Sequence, residues 1–409
     1  MAPDMPGVIR GLFAGLLVPQ VEIAHRTAQV QRAMQTRGLD AVFVLQNADL
    51  FYFTGTIADG LLAIPAAGEP LFLVRRSAER ARIESPLEAI VGVESPREYP
   101  ALLAAHGIGP LRRVGLEMDV LPALHYLRYV RAFPAAEFLD ASPLIRAVRA
   151  VKRPWEIEMM RRAAAIQDRV FRRLAEILRP GLTELDLVVE LEAAARLAGH
   201  QGLIRFRRFN QDVFMGHLLV GEAASVPSFI DAPAGGIGVG PALGNGASRR
   251  PVGAREPVLL DFNGCYNGYN SDQTRTLAVG GLPEDMVRAY AACRQILAEA
   301  GRLLRPGVTA GWVYDRCVAI ARDLGYAETF MGHGAARAPY VGHGVGVEID
   351  EVPPLASGVE MLLEAGMTLA LEPKIVFPGR GVVGVEDTFL VEEGGPVPLT
   401  VSPRELTIV

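Results

Sequence analysis

The feature that most constrains this chain is a repeated unit, in which a helix, an Arg-Pro-Gly stop and a second helix precede a β-hairpin bearing two acids. A helix over 155–178 ends in Arg179-Pro180-Gly181-Leu182-Thr183, and Thr183 with Asp186 three residues on reads as the capped start of the next helix. The pattern returns after a helix from about Glu284 to Leu304, as Arg305-Pro306-Gly307-Val308-Thr309. A further helix then runs to Leu324 and stops at Gly325. Pro180 and Pro306 lie 126 positions apart, which implies two structurally similar halves within the region from 155 onward.

Each half then presents its acids on a hairpin. In the first, Val258–Phe262 leads to Asn267-Gly268, a strong two-residue hairpin signal, and the chain returns through Ser271–Thr274. With that loop Asp261 faces Thr274, and Asp272 shares the face of Asp261 as a diagonal neighbour roughly 7–8 Å away. In the second, Thr368–Glu372 runs to Pro378-Gly379-Arg380-Gly381 and back through Val385-Glu386-Asp387. Glu372 and Glu386 are symmetric about Gly379, so an odd-length loop sets them opposite each other. Like charges so opposed destabilise a sheet unless something neutralises them, and a bound cation is the natural neutraliser.

His343 completes the set, flanked by Gly342 and Gly344, which allow close backbone approach. Four carboxylates and one imidazole form a hard, oxygen-rich group suited to two bridged divalent ions. Ligand hardness favours Mn²⁺, with Co²⁺ or Zn²⁺ as alternatives, because one histidine and no cysteine is not a structural zinc set.

At 409 residues the chain is long enough for two or three domains. A charged run at 149–153 followed by Pro154, at the first position of a long amphipathic helix, puts a boundary between 1–150 and 151–409. The earlier part reads as an α/β domain, with a helix over 22–38 and short strands at 41–45, 61–64, 70–74, 89–93 and 113–116. It shows no cluster of metal-binding or nucleophilic residue types. A net charge of −5 and a pI near 5.9 argue against a bulk electrostatic grip on nucleic acid or anionic lipid. The apolar stretch at 11–18 is too short to span a bilayer. Cys265, Cys293 and Cys317 form no paired framework and read as reduced, buried thiols of a cytoplasmic protein. Lys152 and Lys374 are the only lysines, a bias that reads as genome base composition rather than chemistry.

The order Asp261, Asp272, His343, Glu372, Glu386, within the strings DFNGCYNGYNSDQTRT, GHGVGVEIDE, LALEP and VGVEDT, resembles the aminopeptidase P, prolidase and creatinase superfamily. LFYFTG at 50–55 and the junction string RAVKRPWEIEMMRRAA extend the resemblance over nearly the whole chain. It implies an N-terminal creatinase-like α/β domain followed by a pseudo-symmetric pita-bread α+β catalytic domain. It also implies two divalent ions per chain, a homodimer, and hydrolysis of a bond preceding proline in a small peptide. In that reading Asp261 chelates one ion, Asp272 and Glu386 bridge, His343 binds the other ion, and Glu372 is both ligand and proton acceptor.

The chain departs from the family in three histidines that shuttle protons and steady the tetrahedral intermediate. Their places fall in 243–246, at Pro339 and at Asp350. Each lost donor costs on the order of 10²–10³ in rate if nothing replaces it. His217, in the polar segment 205–222, is the leading substitute, with His333 second. Arg205, Arg207, Arg208 and Arg337 are candidates to bind a substrate carboxylate, and Asp350 to contact substrate. The glycine-rich loop 235–246 lacks a dinucleotide pattern and reads as a flexible loop near the site mouth. Two other classes stay open: the same metal fold acting on a non-peptide C–N or C–S bond, as creatinase and a dimethylsulfoniopropionate lyase do, and a catalytically dead binding module.

Overall fold

A computed structural model of the chain describes residues 5–210 and 214–409. Residues 211–213 of the polar segment ahead of His217 lie outside the described residues. The chain divides into two compact units, Met1–Arg149 with Arg207–Phe209, and Ala150–Phe206 with Asn210–Val409.

In the first unit, the helix Gln20–Arg37 stops at Gly38, which takes the left-handed conformation that a side chain resists. Strands β1 (Ala41–Val44), β2 (Gly60–Pro65), β3 (Leu71–Val74), β4 (Ile90–Gly92), β5 (Arg113–Leu116) and β6 (Glu137–Asp140) form one sheet in the order β4-β3-β2-β1-β5-β6. The β1–β2 and β2–β3 pairs are antiparallel and the rest parallel. Phe43, Leu61, Leu73 and Leu116 fill its core. The unit also holds a buried ionic network: Asp49 Oδ1 accepts from Arg149 at 2.7 Å and Asp49 Oδ2 accepts from Arg207. Arg207 also reaches Asp119 at 2.7 Å and Glu117 at 3.6 Å. The expectation that Arg207 meets substrate is therefore corrected. A fully buried Asp49 needs guanidinium partners, and Arg207 is one of them.

The second unit repeats itself. Helices Pro154–Ile177 and Glu184–Leu197 precede β7 (Gly216–Val220), β8 (Val258–Tyr266) and β9 (Tyr269–Ala278). Helices Glu284–Gly301 and Ala310–Asp323 precede β10 (Gly342–Gly344), β11 (Thr368–Leu371), β12 (Lys374–Phe377), β13 (Gly381–Gly384) and β14 (Asp387–Leu390). The Arg-Pro-Gly stops superpose in chemistry. Gly181 at φ 90° donates to Val252 O at 3.0 Å, and Gly307 at φ 84° donates to Leu363 O at 2.9 Å. Thr183 and Thr309 each cap the following helix, through Asp186 N and Trp312 N.

Both hairpin registers follow the sequence reading. Asn267 (φ 47°) and Gly268 (φ 82°) form the positive-φ loop that suits a twisted hairpin, and Asp261 pairs with Thr274. In the second half Leu371 pairs with Asp387 and Lys374 with Gly384, one register on either side of a short break. Glu372 and Glu386 face each other at that break. The three cysteines are buried thiols, and among the described residues no helix is long and apolar enough to cross a membrane.

Candidate metal centre

The acids arrive from different strands because the two hairpins bring their ends together. Asp261 lies on β8, Asp272 on β9, His343 on β10, Glu372 just after β11, and Glu386 just before β14. A backbone bond ties the halves, Glu386 N donating to Thr274 O at 3.0 Å, and within the second half Glu372 N donates to Val341 O at 3.0 Å. Close approach of β10 to β11 depends on Gly342, where a Cβ would lie 2.1 Å from Ala370 O.

One oxygen each of Asp272 and Glu386 and one nitrogen of His343 lie within 4.8 Å of one another. His343 Nε2 faces Asp272 Oδ2 at 3.9 Å and Glu372 Oε1 at 3.8 Å. Its Nδ1 meets two acceptors, Gly344 O at 3.0 Å and Asp350 Oδ1 at 3.1 Å. These place the ring proton on Nδ1 and leave the Nε2 lone pair aimed at the acids, the arrangement of a metal-binding imidazole held by a carboxylate. The donor set fits a divalent ion: two hard carboxylates and an imidazole, all buried, converge on one volume.

Around them Thr274 Oγ1 donates to Glu386 Oε2 at 2.6 Å, and Asp272 N donates to Thr388 Oγ1 at 2.8 Å. Asn263, opposite Asp272 in register, donates to Asp272 Oδ1 at 2.7 Å once its amide is turned so that nitrogen faces the acid. Arg275, wholly buried, donates to Glu386 O at 2.6 Å and to Asp387 Oδ1 at 2.7 Å.

A group that the sequence reading passed over stands inside the acids. Lys374 Nζ lies 2.6 Å from Glu372 Oε2, 3.2 Å from Asp261 Oδ2 and 3.4 Å from Glu386 Oε2. Two signals pointed to it: the i, i+2 spacing from Glu372, which puts both on one face of a strand, and the scarcity of lysine in the chain.

The protein charges are unbalanced, and the titrating groups report it. Burial, then the like charges of Glu386, Asp261 and Glu372, hold Asp272 well above the usual carboxylate range. Burial also pushes Glu386 up to about 7, against the opposing pull of Lys374 and with the repulsion of Glu372 and Asp261. Burial opposes the charge of His343, but Asp350, Glu372 and Glu386 raise it overall. Lys374 is likewise raised, its burial more than offset by Asp261, Glu372 and Glu386.

His217 lies on β7 directly across from Asp261. Its Nδ1 is buried without a hydrogen-bond partner among the described residues, and its ring packs edge-on against Phe214. Burial lowers its pKa, which keeps the ring neutral. Asp350, read as a substrate contact, turns one oxygen to His343 Nδ1. Arg205 is half-buried and its carbonyl accepts from Ile349 N at 2.9 Å, one residue from Asp350. Arg337 is exposed at the rim of a small cavity lined by Phe330, Met331 and Val341, and His333 precedes it at the start of a short 3₁₀ turn.

A model described as metallopeptidase family M24 matches residues 158–393, and one described as a creatinase/prolidase N-terminal domain matches residues 26–151. A relative from Mycobacterium tuberculosis, named "Probable dipeptidase PepE", is 30% identical over 94% of this chain and 96% of its own. An Xaa-Pro dipeptidase of Lactobacillus delbrueckii is 28% identical over 93% and 98%. The solved structure of an Xaa-Pro dipeptidase from Bacillus anthracis superposes with a TM-score of 0.81 at 26% identity, covering 95% of this chain and all of the other.

Proposed function

Because this chain belongs to metallopeptidase family M24, whose members use a divalent metal, we propose that it hydrolyses short Xaa-Pro peptides by metal-assisted attack of water. The observation that carries the reading is the convergence of Asp272 on β9, His343 on β10 and Glu386 just before β14 onto one buried volume. The names of its relatives supply the substrate class.

Asp272, His343 and Glu386 would hold the ion, with Mn²⁺ favoured by two oxygen donors and Co²⁺ or Zn²⁺ as alternatives. A divalent ion so held lowers the pKa of a water toward neutrality and polarises a carbonyl. Glu372 is the proton acceptor: Lys374 occupies its Oε2, and its Oε1 faces the His343 side. Asp350 keeps the His343 ring in place. His217, neutral and with one ring nitrogen unpartnered, supplies the group that steadies the scissile carbonyl oxygen as it becomes negative. Arg205, whose carbonyl accepts from the residue before Asp350, and Arg337 are the arginines offered for a substrate carboxylate. Three buried thiols fit a cytoplasmic site of action, and the family likeness carries a homodimer, which a monomeric mass by light scattering would refute.

The test is release of the N-terminal residue from a panel of Xaa-Pro dipeptides and tripeptides by chelated enzyme reloaded with Mn²⁺, Co²⁺ or Zn²⁺. Turnover should require metal and disappear in Glu372→Ala. His217→Ala should lose turnover while keeping its metal; unchanged turnover would remove His217 from the mechanism. A second reading has its own support in Pro339 and Asp350, which stand where the family resemblance places histidines. If no peptide is cleaved by metal-loaded enzyme, a non-peptide C–N or C–S substrate takes precedence.

A further inference from the structure

Lys374 is a fully buried charge of the second unit. Its side chain is 1% exposed, and its three N–H donors have three carboxylates around them: Asp261 at 3.2 Å, Glu372 at 2.6 Å and Glu386 at 3.4 Å. The atoms close enough to share one ion form a different group, Asp272, His343 and Glu386, which does not include Asp261. Asp261 faces the ammonium, and Glu386 stands in both groups, with Oε2 turned toward lysine and toward Thr274.

Composition sharpens the point. Of the 41 basic residues only Lys152 and Lys374 are lysines, and both are buried against acids, Lys152 on Glu351 at 2.8 Å. Wherever the chain needs an exposed cation it has arginine. The compact ammonium is kept at two buried places, and at Lys374 it is a point charge among three carboxylates, which a planar guanidinium with five donors in a fixed fork would meet differently. At Lys374 that place is the interior of an acidic cluster, the position a cation would otherwise take.

We propose that the Lys374 ammonium stands in place of a second divalent ion, so that the centre takes a single ion at Asp272, His343 and Glu386, and Asp261 serves as a partner of lysine and not as a metal ligand. In paired-metal sites the ions lie about 3.5–4 Å apart and share carboxylates. A second ion bound by Asp261 and Glu386 would have to displace the ammonium from oxygens it already holds, and would sit beside a buried positive charge. Lys374 also pins Glu372 Oε2, which fixes the proton acceptor without a metal bond. The inference rests on the metallopeptidase reading and replaces the pair of ions expected from the sequence with one.

The experiment is metal stoichiometry on the full chain: chelation, dialysis, calorimetric titration with Mn²⁺ and with Zn²⁺, elemental analysis of the loaded protein, and the electron paramagnetic resonance spectrum of the Mn²⁺ form. The expected result is one ion per chain with an isolated six-line Mn²⁺ spectrum, no ion in His343→Ala, and two ions in Lys374→Met. Lys374→Gln serves as a second variant should Lys374→Met fold poorly, and the wild-type count needs neither. Two ions in the wild type, with a spin-coupled spectrum, would overturn the inference while leaving the metallopeptidase reading intact. One ion in a folded Lys374→Met or Lys374→Gln chain would also overturn it, since lysine would then not be what excludes the second ion. A wild type that binds neither metal would overturn the metallopeptidase reading itself.

Discussion

Each of the two units buries a cluster of acids, and the clusters behave in opposite ways. In the first, Asp49, Glu117 and Asp119 are met by Arg149 and Arg207. Burial would raise Asp49, but Arg149, a hydrogen bond from Glu117 and then Arg207 hold it well below the carboxylate range. Glu117 goes up instead, through burial and the charge of Asp49. Two arginines, two carboxylates and one carboxyl that keeps its proton make a closed, neutral group. In the second unit four carboxylates and an imidazole face one lysine, and Asp272 and Glu386 are driven up together. A cluster whose charges close is built for stability; one left short of positive charge is built to receive a cation.

The sharpest break of that contrast is His343→Ala. It should abolish metal binding and lower turnover by at least about 10³, the scale of several kcal/mol of lost charge stabilisation, with a smaller effect on the metal-free melting temperature. Isothermal titration and calorimetric melting together check it. Arg149→Met in the first unit should do the reverse, costing about 3–5 kcal/mol of stability because it leaves Asp49 buried against one fewer cation, with metal stoichiometry unchanged. Denaturant unfolding of the chelated chain is the measurement.

Acidity sharpens the comparison. Glu386 at about 7 folded against 4.5 unfolded means that the folded chain holds the extra proton. Its contribution is fully present below 4.5 and is lost as pH rises through about 7, about 3 kcal/mol in all, and the raised His343 adds in the same direction. Asp49 has the opposite sign, its contribution present above 3.8 and lost as pH falls. The chelated chain should therefore lose stability between pH 5 and 8, and Glu386→Gln should flatten that limb; a rising limb would refute the sign. Metal binding should strengthen over the same interval because its ligands must shed protons. The smallest effect expected is that of Asp350→Ala, which frees the His343 ring and should weaken metal binding about 10–100-fold with little change in folding.

Much of the second unit was legible because its signals are local. Asn267-Gly268 dictates a two-residue loop, and the loop dictates that Asp261 meets Thr274. The three residues 378–380 between paired Phe377 and Gly381 set Glu372 against Glu386 in the same way. Strand β6 escaped the reading because it is an edge strand with only Phe138 buried, too weak a pattern to detect. Arg207 was misread because its partners, Asp49, Glu117 and Asp119, are remote in sequence. Lys374 was set aside as a quirk of composition, although its spacing from Glu372 placed the two on one face.

The two-fold plan, the hairpin registers and the residue types able to hold a metal follow from local signals, since turns, caps and strand alternation act over a few residues. Which acids share a volume with His343, which face Lys374, and which arginines are closed inside the first unit emerge from the folded chain alone. Those outcomes depend on how separate strands converge and on how burial prices each charge against its neighbours, and neither is written in any one segment of the chain.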